Sequence, residues 1–462
     1  MKSKAALFFE GMKGKTVSFV GAGVSHFDCI RLFREKGIRV LVRDRAGREK
    51  MGETADRLEA MGVSLILGEG YLQDICEDVL FRTPGMKFYT PELTEARARG
   101  VVVTSEMEVF FALCPCRIIG VTGSDGKTTS TTILSEFLKA EGKTVHLGGN
   151  IGRALLPIVE EIGPEDFAVV ELSSFQLISM RQSPDIALIT NVAPNHLDMH
   201  KDMAEYVDAK RNLYLHQGAF SKTVLNFHND ITRSFAEGVR GDLYWFDRFA
   251  PVARGAFLNE EGVLCMADGA GVAPLFHKSE IRIPGEHNVE NYLGAIAAAW
   301  GLVSPETMRK VAAAFGGVEH RIEFVRELDG VRYYNDSIAS SPTRSIAGLR
   351  SFDRRIIMIA GGYDKKIPYD PLGPVVAERV KVLVLMGATA EKIEAAVTGC
   401  PAYDPQKLQI LHAADMAEAV AKARAAAQPG DIVSLSPASA SFDLYKNFEV
   451  RGNHYKDIVN AL

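Results

Sequence analysis

A chain of 462 residues, 47% hydrophobic and 24% charged, has ordinary globular composition and a length suited to about three domains. Its net charge of -5 argues against a general nucleic-acid binder, yet permits a small anionic ligand at a local cluster of charge. Six cysteines make no disulfide framework, and Cys114 and Cys116 lack a second pair to complete a zinc site, so reduced structural thiols are expected.

The opening MKSKAALFFEGMKGK has too short an apolar core for a secretory signal, and no apolar run reaches about 18 residues. No membrane span is expected, and a cytoplasmic monomer is. In chain order, KTVSFVGAG reads as strand and turn, HFDCIRLFREKG as helix, and IRVLVRD as a strand ending at Asp44. SLILG, EDVLFRTPG and GVVVTS continue that rhythm. After Pro115 it restarts with CRIIGVTGSDGKTTS, which reads as strand, glycine loop and helix start. FAVVELS, IALITNV and KTVLNF are further strands; a β-rich stretch spans about 241–283, and VENYLGAIAAAWGL is a long apolar helix. A third restart follows HRIEFV, where VRYYNDS, RRIIMIAGG, VKVLVLMG, LQILH and DIVSLSP alternate with alanine-rich helices. Such alternation predicts an α/β protein with mainly parallel sheets. The three domains are expected at 1–112, 113–317 and 318–462.

The sharpest chemical signal is GVTGSDGKTTS between a strand and a helix. Backbone N–H groups of Gly123, Ser124, Asp125 and Gly126 can cradle phosphate oxygens, and the helix N-terminus adds a favourable dipole. Lys127 would reach the β- and γ-phosphates and Thr128 would offer a hydroxyl to Mg²⁺, with Thr129 behind them. The general pattern wants a glycine five residues before Gly126, and Val121 stands there. A plain solvated turn would not need this strand–GKTT–helix context. Glu171 and His196 both end apolar strands, where open α/β sheets bind ligands. Lys210, in YVDAKRNLY, reads from its neighbours alone as a helical surface lysine.

The loop with Asp125 resembles that of the Mur ligase and folylpolyglutamate synthetase superfamily, enzymes that use ATP to join a carboxylate to an amine. ELSSFQL and NHLD resemble Mur ligase segments, which implies that Glu171 and His196 bind Mg²⁺ with Thr128 and that Lys210 is carbamylated. GEHNVEN implies Asn288 and Asn291 near ATP. HRIEFV and YYNDS imply Arg321 against phosphate and Asp336 near the ribose. Because these come from the last domain, closure of domains is expected on catalysis.

Other segments are similar to the D-glutamate-adding branch of that family. VGAGVSH with Asp44 and RTPG at 82–85 imply a Rossmann-like uridine-nucleotide domain using Gly23, Ser25, Asp44, Thr83 and Gly85. A nicotinamide site is disfavoured because His26 replaces the third glycine. Asn150, Ser173 and Gln176 would position the same substrate. SLSPASASFDLYKNFEVRG and IAGGYDKK imply that Ser441, Phe448 and Lys365 contact D-glutamate in a Rossmann-like C-terminal domain, with Ser340 beside them. Ser439 stands where the pattern has Cys, and Ile338 where it has a clamp lysine. Arg344 is the expected substitute for that charge. The implied reaction adds D-glutamate to UDP-N-acetylmuramoyl-L-alanine through an acyl phosphate, in peptidoglycan precursor synthesis. Another Mur-type or folylpolyglutamate-type ligase is the alternative. A nucleotide-dependent switch would leave the C-terminal motif unexplained.

Overall fold

The computed structural model describes residues 2–194 and 199–462, with Val24 and Ser25 described by backbone alone. The N-terminal sheet consists of β1 (Thr16–Val20), β2 (Arg39–Asp44), β3 (Ser64–Leu67), β4 (Val79–Phe81) and β5 (Val102–Thr104). Its order is β3-β2-β1-β4-β5 and every pairing is parallel. Strand order therefore reverses between β1 and β4, which opens a crevice beyond their C-terminal ends. Phe19, Phe33 and Phe81 pack ring on ring beneath it.

The central sheet holds β6 (Arg117–Thr122), β7 (Val145–Gly149), β8 (Phe167–Glu171), β9 (Ile186–Ile189), β10 (Lys222–Asn226), β11 (Asp242–Asp247), β12 (Gly255–Leu258), β13 (Val263–Ala267) and β14 (Val272–His277). It runs β14-β13-β12-β11-β10-β9-β6-β8-β7. Pairing is parallel from β7 through β12 and antiparallel only at β13 and β14. Residues of β6, β8 and β9 are buried almost throughout, as a parallel sheet covered on both faces requires.

The third sheet holds β15 (Glu323–Leu328), β16 (Val331–Asn335), β17 (Ile356–Ala360), β18 (Val380–Leu385), β19 (Gln409–His412) and β20 (Ile432–Leu435), in the order β15-β16-β20-β17-β18-β19. Only the β15–β16 pair is antiparallel. The first two sheets belong to one compact unit, residues 1–278 with 290–311, and the third to another, 279–289 with 312–462. Among the described residues no helix is long and apolar enough to cross a membrane.

Two helices set the site. Lys127–Ala140 buries Ser130, Ile133, Leu134, Phe137 and Leu138, a helical stripe, and ends before Gly142 at φ +80°. Met203–Leu215 is capped by Asp202, whose side chain accepts from Glu205 N. It buries Tyr206, Ala209, Lys210, Leu213 and Tyr214. Lys210 thus shares the phase of the apolar stripe, and the surface-lysine reading is overturned.

Candidate functional site

The glycine loop links β6 to the helix Lys127–Ala140. Gly126 occupies the N-cap position in the left-handed region, φ +75°, and no side chain caps this end. An added Cβ there would stand 2.3 Å from Asn291 Oδ1, so glycine is required twice over. Uncapped N–H groups at a helix start form a site for anionic oxygen. The loop is braced from β9: Asn191 Oδ1 accepts from Ser124 N at 3.1 Å and Asp125 N at 2.9 Å, and Thr190 Oγ1 donates to Asp125 O at 2.5 Å. Ser124 Oγ lies 2.9 Å from both Ala193 O and Tyr206 Oη, so it works inward, while Asp125 is exposed.

Two ammonium groups meet on one carbonyl. Lys127 Nζ donates to Gly123 O and Ser124 O, each at 3.0 Å, and Lys210 Nζ donates to Gly123 O at 2.7 Å. Lys210 is 1% exposed. Burial, reinforced by the Lys127 charge, pulls its amine down to about 7. Thr128 and Thr129 follow on the same turn, half-buried and buried.

One strand away, at the end of β8, Glu171 is buried. Its Oε1 accepts from Asn150 Nδ2 at 2.7 Å, and among the described residues its Oε2 has no hydrogen-bond partner. A buried, half-satisfied carboxylate is costly and fits a cation better than it fits empty protein. His196 lies outside the described residues; among those described, no group of three His, Cys, Asp or Glu could hold a metal. Ser173 and Gln176 form a capping box, with Gln176 Oε1 accepting from Ser173 N and Oγ, both at 2.9 Å. Both polar ends are engaged locally, though Gln176 still lines a cavity of about 480 Å³ with Asn150, Arg153, His26 and Glu106.

At the crevice of the N-terminal sheet, Gly23 starts a helix after β1, Asp44 ends β2, and Thr83 with Gly85 follow β4. Asp44 accepts from Ala22 N at 3.2 Å and from Ala46 N at 2.8 Å, which fixes the turn. The side chain of Ser25 lies outside the described residues. His26 is buried, its Nδ1 2.9 Å from Gly21 O, and burial lowers its basicity, so it anchors the helix as a neutral ring. The helix Glu286–Ala299 carries Asn288, whose amide donates to Pro284 O at 2.5 Å, and Asn291, 3.3 Å from Ser130 Oγ. Both lie inside the helix, on its first two turns.

In the second unit, the loops after β16, β20 and β17 leave adjacent parallel strands on one edge. These loops carry Asp336, Ser340, Lys365 and Ser441; Lys365 is exposed, Ser340 half-buried and Ser441 buried. Asp336 is buried, its carboxylate accepting from Ile322 N at 3.3 Å and Ser436 Oγ at 3.2 Å, and burial pushes it up to about 7. Arg321 is exposed near it and Phe448 packs edge-on against His320. Ser439, at the pattern's cysteine position, lies 2.8 Å from both Tyr369 Oη and Thr389 Oγ1, a small hydroxyl network. Arg451 was missed by the sequence reading. Its buried guanidinium binds Ser337 O, Ser439 O and Ala440 O and clamps the loops together. Arg344 Nη1 donates to Ile338 O at 3.2 Å, which puts its charge at the residue that lacks the lysine.

The Mur ligase middle domain family matches residues 121–299, and the Mur ligase, glutamate ligase domain family matches residues 320–439. The chain is 50% identical to the UDP-N-acetylmuramoylalanine–D-glutamate ligase of Acetivibrio thermocellus, with all of both chains covered. It is 47% identical to the enzyme of that name from Clostridium kluyveri, again over the whole of both. Among solved structures, UDP-N-acetylmuramate-alanine ligase from Thermotoga maritima matches with a TM-score of 0.59 at 16% identity, covering 97% of this chain and 99% of that one. That last likeness speaks for the fold alone.

Proposed function

The chain belongs to the Mur ligase family, and from that premise we propose that it joins UDP-N-acetylmuramoyl-L-alanine to D-glutamate, driven by ATP, in peptidoglycan precursor synthesis. The family uses ATP, and the braced loop Gly123–Thr129 with two lysines on its first carbonyl is the observation that carries the reading. The three domains proposed are 1–112 for the uridine nucleotide, 113–317 for ATP and 318–462 for the amino acid. Action as a cytoplasmic monomer is part of the same proposal.

A carboxylate oxygen of the acceptor attacks the γ-phosphorus of ATP; the new O–P bond forms as the bond to ADP breaks. The amine of D-glutamate then attacks the acyl carbon, the C–N bond forms, the nitrogen loses its proton, and phosphate leaves. Loop amides and Lys127 hold the phosphate oxygens and neutralise charge that grows on the transferred group. Asn288, Asn291, Arg321 and Asp336 are assigned to the nucleotide. Gly23, Ser25, Asp44, Thr83, Gly85, Asn150, Ser173 and Gln176 are assigned to the uridine substrate. Ser340, Lys365, Ser441 and Phe448, with Arg344, are assigned to D-glutamate.

The orphaned Glu171 oxygen fits Mg²⁺, which Glu171, Thr128, His196 and Lys210 as its carbamate would hold; there it supplies positive charge against phosphoryl oxygens. A buried amine lowered to about 7 is substantially neutral near pH 7, and a neutral amine is the form that adds CO₂. Mass spectrometry of the products from UDP-N-acetylmuramoyl-L-alanine, ATP and D-glutamate tests the reading. The expected result is an acceptor heavier by one glutamyl residue, with one ADP released per product; no adduct refutes it.

A further inference from the structure

Glu106 opens a helix, Glu106–Leu113, behind the N-cap Ser105, and the first reading of such an acid is an ordinary complement to the helix dipole. Its surroundings go further. Glu106 Oε1 alone accepts both Leu155 N at 3.1 Å and Leu156 N at 2.8 Å. These amides end the segment 150–156, so Glu106 ties down the loop on which Asn150 sits. Among the described residues Oε2 makes no bond to protein, and Glu106 lines the 480 Å³ cavity that Asn150, Gln176 and Arg153 also line. The side chain is only 9% exposed, and burial pushes its carboxyl up to about 7 against the pull of the two amides.

We propose that Glu106 is a binding residue for the acyl-sugar part of the acceptor, its Oε2 accepting a hydrogen bond from an amide N–H or a hydroxyl of that group. The proposal rests on the functional reading above. Two observations select that part of the ligand. Asn150 lines the cavity and holds Glu171 at 2.7 Å, so the reacting carboxylate lies at the Asn150 end. The groups next to that carboxylate are the alanyl amide and the N-acetylated sugar, which carry N–H and O–H donors. A diphosphate carries only acceptors and is repelled by an acid, so it belongs elsewhere.

Glu106→Gln separates binding from bracing. The amide oxygen of glutamine can still accept from Leu155 and Leu156, but a donating NH₂ replaces Oε2. With the acceptor nucleotide as varied substrate, KM should rise about tenfold, equal to ~1.4 kcal/mol. KM for ATP should stay within about twofold, and inhibition by UDP, which lacks the acyl sugar, should be unchanged. A glutamine variant with wild-type KM for the acceptor overturns the assignment and leaves only the brace, as does one that loses UDP and acceptor binding equally. A wild-type chain that makes no product overturns the functional reading instead. Should the glutamine variant fail to fold, Glu106→Asp, which retracts both oxygens by one methylene, gives the same comparison.

Discussion

Gly126→Ala offers a perturbation whose size follows from two separable strains. An alanine at φ +75° costs about 1–2 kcal/mol over glycine. Its Cβ would also stand 2.3 Å from Asn291 Oδ1, so that side chain must swing away and give up Ser130 Oγ, 3.3 Å distant, a loss of about 1 kcal/mol. Gly142 is a built-in control at the other end of the same helix. It holds φ +80°, and a Cβ there meets nothing within 4 Å. Gly142→Ala should therefore cost about 1–2 kcal/mol and Gly126→Ala about 2–3 kcal/mol. Urea unfolding followed by fluorescence reads the first unit, since the chain's two tryptophans, Trp245 and Trp300, both lie in it. ATP affinity should fall only for Gly126→Ala. Equal losses of stability in the two variants, within about 0.5 kcal/mol, would refute the packing argument.

Lys127→Ala should lower kcat at least about a hundredfold with the melting temperature nearly kept, and near-normal turnover would remove Lys127 from its role. Arg344→Ala should raise KM for D-glutamate about tenfold and leave KM for the acceptor nucleotide alone. An unchanged value for D-glutamate means the charge missing at Ile338 is not replaced from Arg344. Supplying ¹³C-bicarbonate should give the native protein a carbamate carbonyl resonance that is absent from Lys210→Ala; the same spectrum from both would sink the modification.

Legibility tracked how local the cause was. The phosphate loop could be read because strand, glycines, lysine and helix follow one another without a gap, and its bracing by Asn191 and Thr190 only supports that local design. The position of Glu171 could be read for the same reason, as the last residue of an apolar strand. The burial of Lys210 was written in the helical phase of Tyr206, Leu213 and Tyr214, but a single lysine among charged neighbours hides that phase. Ser173 and Gln176 show a second, local role that the motif did not announce, because the same two residues also close a capping box. The brace made by Glu106 and the clamp made by Arg451, although Arg451 closes the C-terminal motif, have no local signal in the sequence. Each depends on a partner far along the chain, Leu155 and Leu156 for one and Ser337 for the other.

The two lysines pose the sharpest electrostatic problem in the molecule, and its solution bears on the chemistry. Lys127 is half-buried and its charge suits a phosphate, yet Lys210 approaches the same Gly123 carbonyl from the sheet side with almost no access to water. Two ammonium groups on one carbonyl repel, and whereas Lys127 also has Ser124 O and partial access to water, Lys210 has neither. Thr122 Oγ1, 3.4 Å from Lys210 Nζ, is a neutral partner, and the attraction of Asp125, and less of Glu171, does not offset burial and the Lys127 charge. The balance favours a Lys210 without charge. A neutral amine held beside a cation is a nucleophile, and its carbamate would convert the repulsion with Lys127 into attraction. For the carbamate proposed above, the pair would supply a driving force that neither residue has by itself.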